Sequence, residues 1–369
     1  MKVTFPRLPK GKPSQEARYA FQADVISLRR WMERYKQRLG FAPSSRGWCY
    51  ALESDGIIDK AGFESAIKQI AKLRKSGDLD FSLVAADEAR AMSGFDYVSN
   101  EGTPEEFLLN RLKSAIRDSK SYRPVSYWKH QDYYPIVMVE KMDLVGLFRQ
   151  VLPSPVKIFN ARGNADVNSR VALIRELADA ESKGLKPVLL YCGDHDPSGL
   201  QISDGLRNQL REIADTIGYH GVDALEIVRF GLNDDQIADA KLMWIDNLIT
   251  SSGKDLADPK HPDYQKPYVQ DYLNLYGSRK VEANALIAAP ELGRQVMQDA
   301  LMEWIDEDAI RQWEADNESA MRRAKEQAMC VTAWLGMLHS SGLMFSPSAL
   351  LHGNEIQKAI KGALPEGRG

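Results

Sequence analysis

The chain has 369 residues, 44% of them apolar and 27% charged, which is ordinary for a globular protein and enough for two or three domains with cores of their own. No apolar run reaches the length of a membrane helix, and the opening Met1-Lys2-Val3-Thr4-Phe5-Pro6 lacks the pattern of a signal peptide. Three separated cysteines (Cys49, Cys192, Cys330) speak against a disulfide or zinc framework and fit a reducing cytoplasm, and a net charge of −3 gives no global argument about partners.

Residues 1–14 contain Pro6, Pro9, Pro13 and several lysines and read as a flexible basic arm. Residues 1–40 carry ten Lys/Arg against three acids, with Arg29 and Arg30 adjacent; such a stretch suits a phosphate backbone or a solvated helix face. Phe21, Val25, Leu28, Met32, Tyr35 and Leu39 recur at steps of four and three, the signature of one long amphipathic helix, which Gly40 and Pro43 end. Ser44 or Ser45 can cap a second helix through Ser54, and Asp55-Gly56 turns out of it. A third helix is expected from about 62 to 75, with Phe63, Ile67, Ile70 and Leu73 inward, followed by short extended pieces around Leu79–Val84. Three helices and a small ribbon outline a winged helix over residues 15–95. Within it, Arg46 and Tyr50 lie four apart on one face of the second helix. Either Tyr50 packs and Arg46 covers it, or Tyr50 is a nucleophile. With an ordinary pKa near 10, such a tyrosine needs a group like Arg46 to stabilise the phenolate or a phosphate.

Residues 96–130 read as a linker holding one helix, about 104–120. Its Arg111, Lys113, Arg117, Lys120, Arg123 and Lys129 interleave with Tyr122, Tyr127 and Trp128, a second stretch suited to nucleic acid. From 131 to 300 strands alternate with helices. The apolar run 135–139 is followed by Glu140-Lys141 and a helix over 142–151. A short strand at 155–161 precedes a helix carrying Val167, Val171, Ile174 and Leu177. The run Val188 to Cys192 is closed by Gly193 and the acidic turn Asp194-His195-Asp196-Pro197-Ser198-Gly199. A helix follows, with Ile202, Leu206, Leu210 and Ile213 inward, then a strand at 225–230 and a helix from Asn233. This alternation predicts a largely parallel sheet covered on both faces. Glu140, Asp194 and Asp196 would then share the carboxyl edge of the sheet, where ligands bind. Carboxylates about 4 Å apart repel by roughly 4 kcal/mol at an effective dielectric near 20, so something must offset them. A hard cation, Mg²⁺ above all, suits such a site, although an aspartate turn can also be no more than a helix cap. His195 is expected to face solvent from the turn. The segment 253–266 reads as a mobile polar loop, and a helical region runs from Val281 through about Ser340, ending in a disordered tail from 353; residues 301–369 are taken as this helical C-terminal part.

At Glu140-Lys141 and Asp194-His195-Asp196-Pro197-Ser198-Gly199 the sequence resembles a Toprim domain. The Asp-x-Asp-Pro-x-Gly form, with Arg46-x-x-x-Tyr50 in a winged helix upstream, is similar to the A subunit of type IIB topoisomerases and its meiotic double-strand-break relative. It is more similar still to the short A-subunit-like (mini-A) proteins of bacteria and their mobile elements, whose later segments resemble Val228–Gln236 and Val281–Leu286. Gly47 stands where that family usually has an acid, Cys49 where an aromatic residue is common, and His195 and Ser198 replace a glycine and a tyrosine.

The resemblance implies an α/β multidomain fold: a winged helix, a Rossmann-like Toprim domain over 131–300 and a helical C-terminal region. It implies that Tyr50 attacks a DNA phosphodiester, leaving a 5′-phosphotyrosyl link, with Mg²⁺ held by Glu140, Asp194 and Asp196 and with Arg46 stabilising phosphoryl charge. It further implies double-stranded DNA as partner, contacted through Arg29, Arg30, Lys113, Arg117, Lys120 and Lys141. A homodimer follows, in which the tyrosine of one subunit meets the metal site of the other, in a cytoplasmic, nucleoid-associated protein. ATP-driven strand passage would require a separate GHKL-type ATPase B subunit. Three other readings compete. The first is a Toprim metal-dependent nuclease of plasmid or phage defence or of a mobile element, in which Tyr50 only packs. The second is a DNA-binding module that does not cleave, and the third a phosphatase of the haloacid-dehalogenase type.

Overall fold

A computed structural model describes residues 3–7, 11, 13–85, 102–160, 167–250 and 254–340, without the side chains of 202–204 and 338–340. The far end of the expected ribbon, parts of the basic arm and the C-terminal tail lie outside the described residues. The chain forms two compact units, one of Met1–Ala91 with Gln131–Asp306, the other of Met92–His130 with Glu307–Gly369.

The first unit opens with α1 (Gln15–Leu39), capped by Ser14 and closed by Gly40 at φ 82°, a left-handed conformation that favours glycine. Its buried face is the one the periodicity gives, except that Trp31 joins it and Phe21 is only half-buried. Helix α2 (Ser45–Ser54) is capped by Ser44, and α3 is Phe63–Lys75. The fully buried Trp48 packs its ring against Trp31 and Tyr35, and its indole N–H donates to the Leu83 carbonyl at 2.6 Å. The extended pieces expected around Leu79–Val84 are instead a 3-10 turn, Phe81–Leu83, because the Asp80 side chain accepts the Ser82 N–H and tightens the backbone there. The arm is not wholly solvated either, since Phe5 and Pro6 are buried.

After α4 (Pro104–Asp118), which belongs to the second unit, come the parallel strands β1 (Tyr133–Val139), β2 (Lys157–Asn160), β3 (Lys186–Cys192) and β4 (Glu226–Arg229), in the order β2-β1-β3-β4. Consecutive residues of β1 and β3 are buried, so both faces are covered, as their uninterrupted apolar runs require. Between the strands lie α5 (Met142–Phe148), α6 (Val167–Ser182), the short α7 (Pro197–Leu200) and α8 (Ile202–Ile217). The strand order reverses between β1 and β3, where Val139 pairs with Cys192, and such a switch point opens a crevice at the carboxyl edge.

Beyond β4 stand α9 (Asp234–Asp239), α10 (Pro267–Tyr276), α11 (Ala285–Ala288) and α12 (Pro290–Met302). The helical region expected from Val281 starts later. Val281 forms an antiparallel bridge with His195, which holds residues 281–284 out of any helix until Ala285. The polar loop before α10 is anchored by Leu256, buried with Leu248, Val269 and Tyr272.

In the second unit, α4 begins with a Thr103–Glu106 capping box and packs with α13 (Glu307–Ser340). Asn317 clasps Val125, accepting its N–H at 3.1 Å and donating to its carbonyl at 3.3 Å, and Lys129 and His130 both meet Asp316. The stretch read as a linker is thus part of a folded unit.

One contact fixes how α2 meets the sheet. The buried Asp143, at the start of α5, accepts the Ser44 N–H and hydroxyl at 2.6 Å each, while the Ser44 oxygen accepts the Gly47 N–H. A Cβ at Gly47 would lie 2.6 Å from the Asp143 carboxylate, so glycine leaves room for an acid supplied by another element. Asp143→Ala should orphan this cap and lower stability by about 1–3 kcal/mol in urea denaturation.

Candidate functional site

A cleft of about 830 Å³ opens at the carboxyl edge of the sheet in the first unit, and Arg46, Tyr50, Glu140, Lys141, Asp194 and Asp196 all line it. Glu140 leaves the end of β1 and Asp194 follows β3, so strand pairing alone makes them neighbours. The Glu140 N–H donates to the Cys192 carbonyl at 3.1 Å, and the Asp194 N–H donates to Glu140 Oε2 at 3.2 Å. The Lys141 ammonium lies between the two carboxylates, 2.9 Å from Glu140 Oε1 and 2.8 Å from Asp194 Oδ2. Asp194 Oδ1 accepts the Ala283 N–H at 2.8 Å.

The three titrations follow from that packing. Burial opposes the charged form of Glu140, yet the Lys141 charge and the hydrogen bonds it receives hold its carboxyl below the usual range. Asp194 is buried more deeply, and burial with the Glu140 charge pushes its carboxyl up against the pull of Lys141. Burial works against Lys141 as well, but the two carboxylates raise its proton affinity above the ordinary value.

Asp196 plays the capping role that its turn allows: one oxygen accepts the Gly199 N–H at 2.7 Å as the N-cap of α7. The glycine of Asp-x-Asp-Pro-x-Gly has a steric cause, for a Cβ at Gly199 would collide with the Asp194 carbonyl oxygen. Arg229, at the end of β4, fastens the same turn by donating to the Gly199 carbonyl at 2.9 Å and the Asp194 carbonyl at 3.1 Å. His195 does not face solvent. It is 2% exposed, 3.1 Å from Asp234 and 3.1 Å from the Tyr272 hydroxyl, and burial, with the Arg229 charge, lowers its proton affinity. Alternation in the extended turn, with Asp194 and Asp196 toward the cleft, sends the residue between them inward.

Tyr50 is 5% exposed, and its hydroxyl donates to the Glu282 carboxylate rather than meeting Arg46. Lys60 and Lys280 flank that carboxylate, with Lys60 also 4.5 Å from the centre of the Tyr50 ring. Burial brings the Lys60 ammonium down to about 8; Glu53 opposes the fall and the charges of Arg46 and Lys280 add to it. Lys60, Arg229, Lys280 and Glu282 are site residues that sequence reasoning missed. The expected DNA contacts Arg29 and Arg30 are exposed on α1 and do not line the cleft, while Lys113, Arg117 and Lys120 are exposed in the second unit.

Among the described residues, no three Asp, Glu, His or Cys side chains converge on one point as a closed metal cage would require. Mg²⁺ needs less: it is held by one or two carboxylates, its remaining positions going to water and phosphate. Glu140 and Asp194 already share one cation, Lys141, and offer hard oxygens beside Asp196, so the donor set fits that ion.

No protein-family model, no curated protein and no solved structure matches the chain.

Gly199→Ala should push residue 199 away from the Asp194 carbonyl, opening the acidic turn, and cost about 1–3 kcal/mol in chemical denaturation, as overpacking does. The depressed proton affinity of Lys60 sets a pH dependence. An unfolded lysine holds its proton to about 10.5, so keeping Lys60 charged opposes folding below about pH 8, and that penalty fades as pH rises from 8 to 10.5. Lys60→Met should therefore flatten the rise of melting temperature between pH 8 and pH 10 that the wild type shows.

Proposed function

We propose that this chain is a Mg²⁺-dependent DNA-cleaving protein of the type IIB topoisomerase A-subunit kind, with Tyr50 as nucleophile and the sheet as a Toprim domain. The observation that carries the reading is that one cleft is lined by the tyrosine, the four acids Glu140, Asp194, Asp196 and Glu282, and the basic side chains of Arg46, Lys60, Lys141 and Lys280. A duplex phosphate entering it would meet cations that draw it in, with Tyr50 in the cleft wall. On this reading the Tyr50 oxygen forms a bond to phosphorus, the bond to the 3′ oxygen breaks, and the 5′ end stays joined to the protein. Arg46, exposed at the cleft, donates to the phosphoryl oxygens as charge builds on them. Glu140 and Asp194, with Asp196 beside them, would hold Mg²⁺, whose contribution when bound is to act as a Lewis acid toward the phosphoryl group.

Helices α1–α3 would serve as a winged-helix DNA-binding part, with Arg29 and Arg30 on its surface, and in the second unit the exposed Lys113 and Arg117 of α4 and Lys120 just after it would contact phosphates. A double-strand break needs two tyrosines, hence a homodimer; Tyr50 shares its cleft with the acids of its own subunit, so the expected meeting of one subunit's tyrosine with the other's metal site is not needed on this reading. Strand passage would need a GHKL-type ATPase B subunit as partner, and a nucleoid-associated cytoplasmic protein follows from the substrate.

A second reading has its own support. Tyr50 is nearly inaccessible and already hydrogen-bonded, as expected of a packing residue in a Toprim nuclease whose attacking group is water. One assay separates the two: Mg²⁺-dependent cleavage of supercoiled plasmid, stopped with detergent and resolved with and without proteinase. Linear DNA entering the gel only after proteinase is the expected result. Tyr50→Phe should remove it while leaving DNA affinity intact, and Asp196→Ala should lower it on the order of 10²-fold or more. Protein-free ends that persist in Tyr50→Phe would establish the nuclease instead.

A further inference from the structure

A tyrosine that attacks phosphorus must lose its proton, and the fold has put a carboxylate where that proton is. The Tyr50 hydroxyl donates to Glu282 Oε2, while Glu282 Oε1 faces Lys60 at 3.4 Å and Lys280 at 3.7 Å. The backbone on either side of Glu282 is clamped to the acidic turn: Val281 exchanges both hydrogen bonds with His195, at 2.8 and 3.1 Å, and the Ala283 N–H donates to Asp194 Oδ1 at 2.8 Å. The Glu282 side chain is only 13% exposed. Such placement is more than a surface glutamate needs for solvation.

We propose that Glu282 is the proton acceptor for Tyr50 in strand cleavage and returns that proton when the strand is resealed, with Lys60 and Lys280 as its counter-ions. The proposal rests on Tyr50 being the nucleophile. As the bond from the Tyr50 oxygen to phosphorus forms, the phenolic O–H bond breaks and its proton passes to Glu282 Oε2. The bond from phosphorus to the 3′ oxygen breaks with its electron pair on that oxygen, which takes a proton from water. Neutralising Glu282 frees Lys60 and Lys280 to face the phosphoryl oxygens just as negative charge gathers there. In resealing, the 3′ hydroxyl gives its proton back to solvent water as its oxygen attacks phosphorus, and the departing phenolic oxygen recovers the proton from Glu282. Burial supports the assignment by pushing the Glu282 carboxyl up, against the Arg46 charge, toward the range in which a general base works.

The alternative is that the contact is a latch holding Tyr50 away from DNA, and the two roles predict opposite results. Covalent adduct formation on supercoiled plasmid would be followed from pH 6 to 9 for wild type, Glu282→Gln, and Glu282→Ala with and without formate. The same proteins, free of DNA and carrying tyrosine labelled with ¹³C at Cζ, would be compared by NMR, with Tyr50→Phe assigning the resonance. If Glu282 takes the proton, Glu282→Gln forms adduct on the order of 10²-fold more slowly at pH 7 with unchanged DNA affinity. Its rate then climbs about tenfold per pH unit as hydroxide replaces the base, formate restores part of the Glu282→Ala rate, and the Tyr50 resonance moves in the free variant. A Glu282→Gln protein that forms adduct at the wild-type rate or faster overturns the proposal, the faster result establishing the latch. A slow variant with the wild-type pH profile and no formate rescue overturns it too, leaving only a positioning role. Absence of adduct in wild type itself, with the Tyr50 resonance still responding to Glu282→Gln, overturns the nucleophile assignment and the present proposal with it.

Discussion

The Lys141 ammonium between Glu140 and Asp194 is the interaction on which the carboxyl edge of the sheet depends. Parallel pairing of β1 and β3 leaves no choice about bringing these acids together, since the residues that follow Val139 and Cys192 emerge side by side. Two carboxylates in such proximity repel by roughly 4 kcal/mol at an effective dielectric near 20, and Asp194 is almost fully buried, which adds a desolvation penalty. A single ammonium within hydrogen-bonding distance of both offsets the repulsion and keeps Glu140 ionised. Backbone dipoles do the rest: the Ala283 and Asp194 N–H groups point at the carboxylates, and Arg229 neutralises the carbonyls that the turn directs inward.

A single short stretch, 281–289, couples this edge to the N-terminal helices. Val281 is bridged to His195, Ala283 reaches Asp194, Glu282 receives Tyr50, and the Ile287 carbonyl accepts the Tyr35 hydroxyl at 3.1 Å. Helix α11, at the end of that stretch, packs on α2. From the other side Asp143 holds the N-cap of α2 through Ser44. The helix bearing Arg46 and Tyr50 is therefore fixed at its beginning by α5 and along its length by α11, both from the α/β part of the unit. Small displacements of the acidic turn would reach Tyr50 through residues 281–283 rather than across open solvent.

Much of this was legible in the sequence because it is local. The four strands, the helices between them, the caps at Ser44 and Gly40 and the joint placement of Glu140 with Asp194 and Asp196 all follow from period, turn chemistry and strand ends. The residues that escaped act over long separations. Glu282 meets Tyr50 across 232 positions and Ala283 meets Asp194 across 89, and an apolar stretch around them reads as helix because a single bridge has no period to betray it. His195 was misread for a related reason: its burial is made by Trp244, Tyr272 and Tyr276, which lie far along the chain. The Leu79–Val84 stretch failed locally instead, since an aspartate capping its own turn outweighs the preference of the neighbouring Leu and Val for extension.

The surroundings of Tyr50 weigh on the choice between water and phenol as attacking group. A tyrosine kept only for packing needs its ring buried and its hydroxyl paired, and the edge contact with Phe63 and one neutral acceptor would suffice. Here the acceptor is a carboxylate, so the protein buries a charge and must supply Lys60 and Lys280 to compensate it, one of them at a depressed proton affinity. Placing a largely buried carboxylate and two ammonium groups, one of them a third exposed, beside a hydroxyl that one carbonyl could satisfy is unfavourable for stability alone. The arrangement gains purpose when the phenolic proton has to move and phosphoryl charge has to be met in the same place, and a water nucleophile at the Glu140–Asp194 edge would draw on neither.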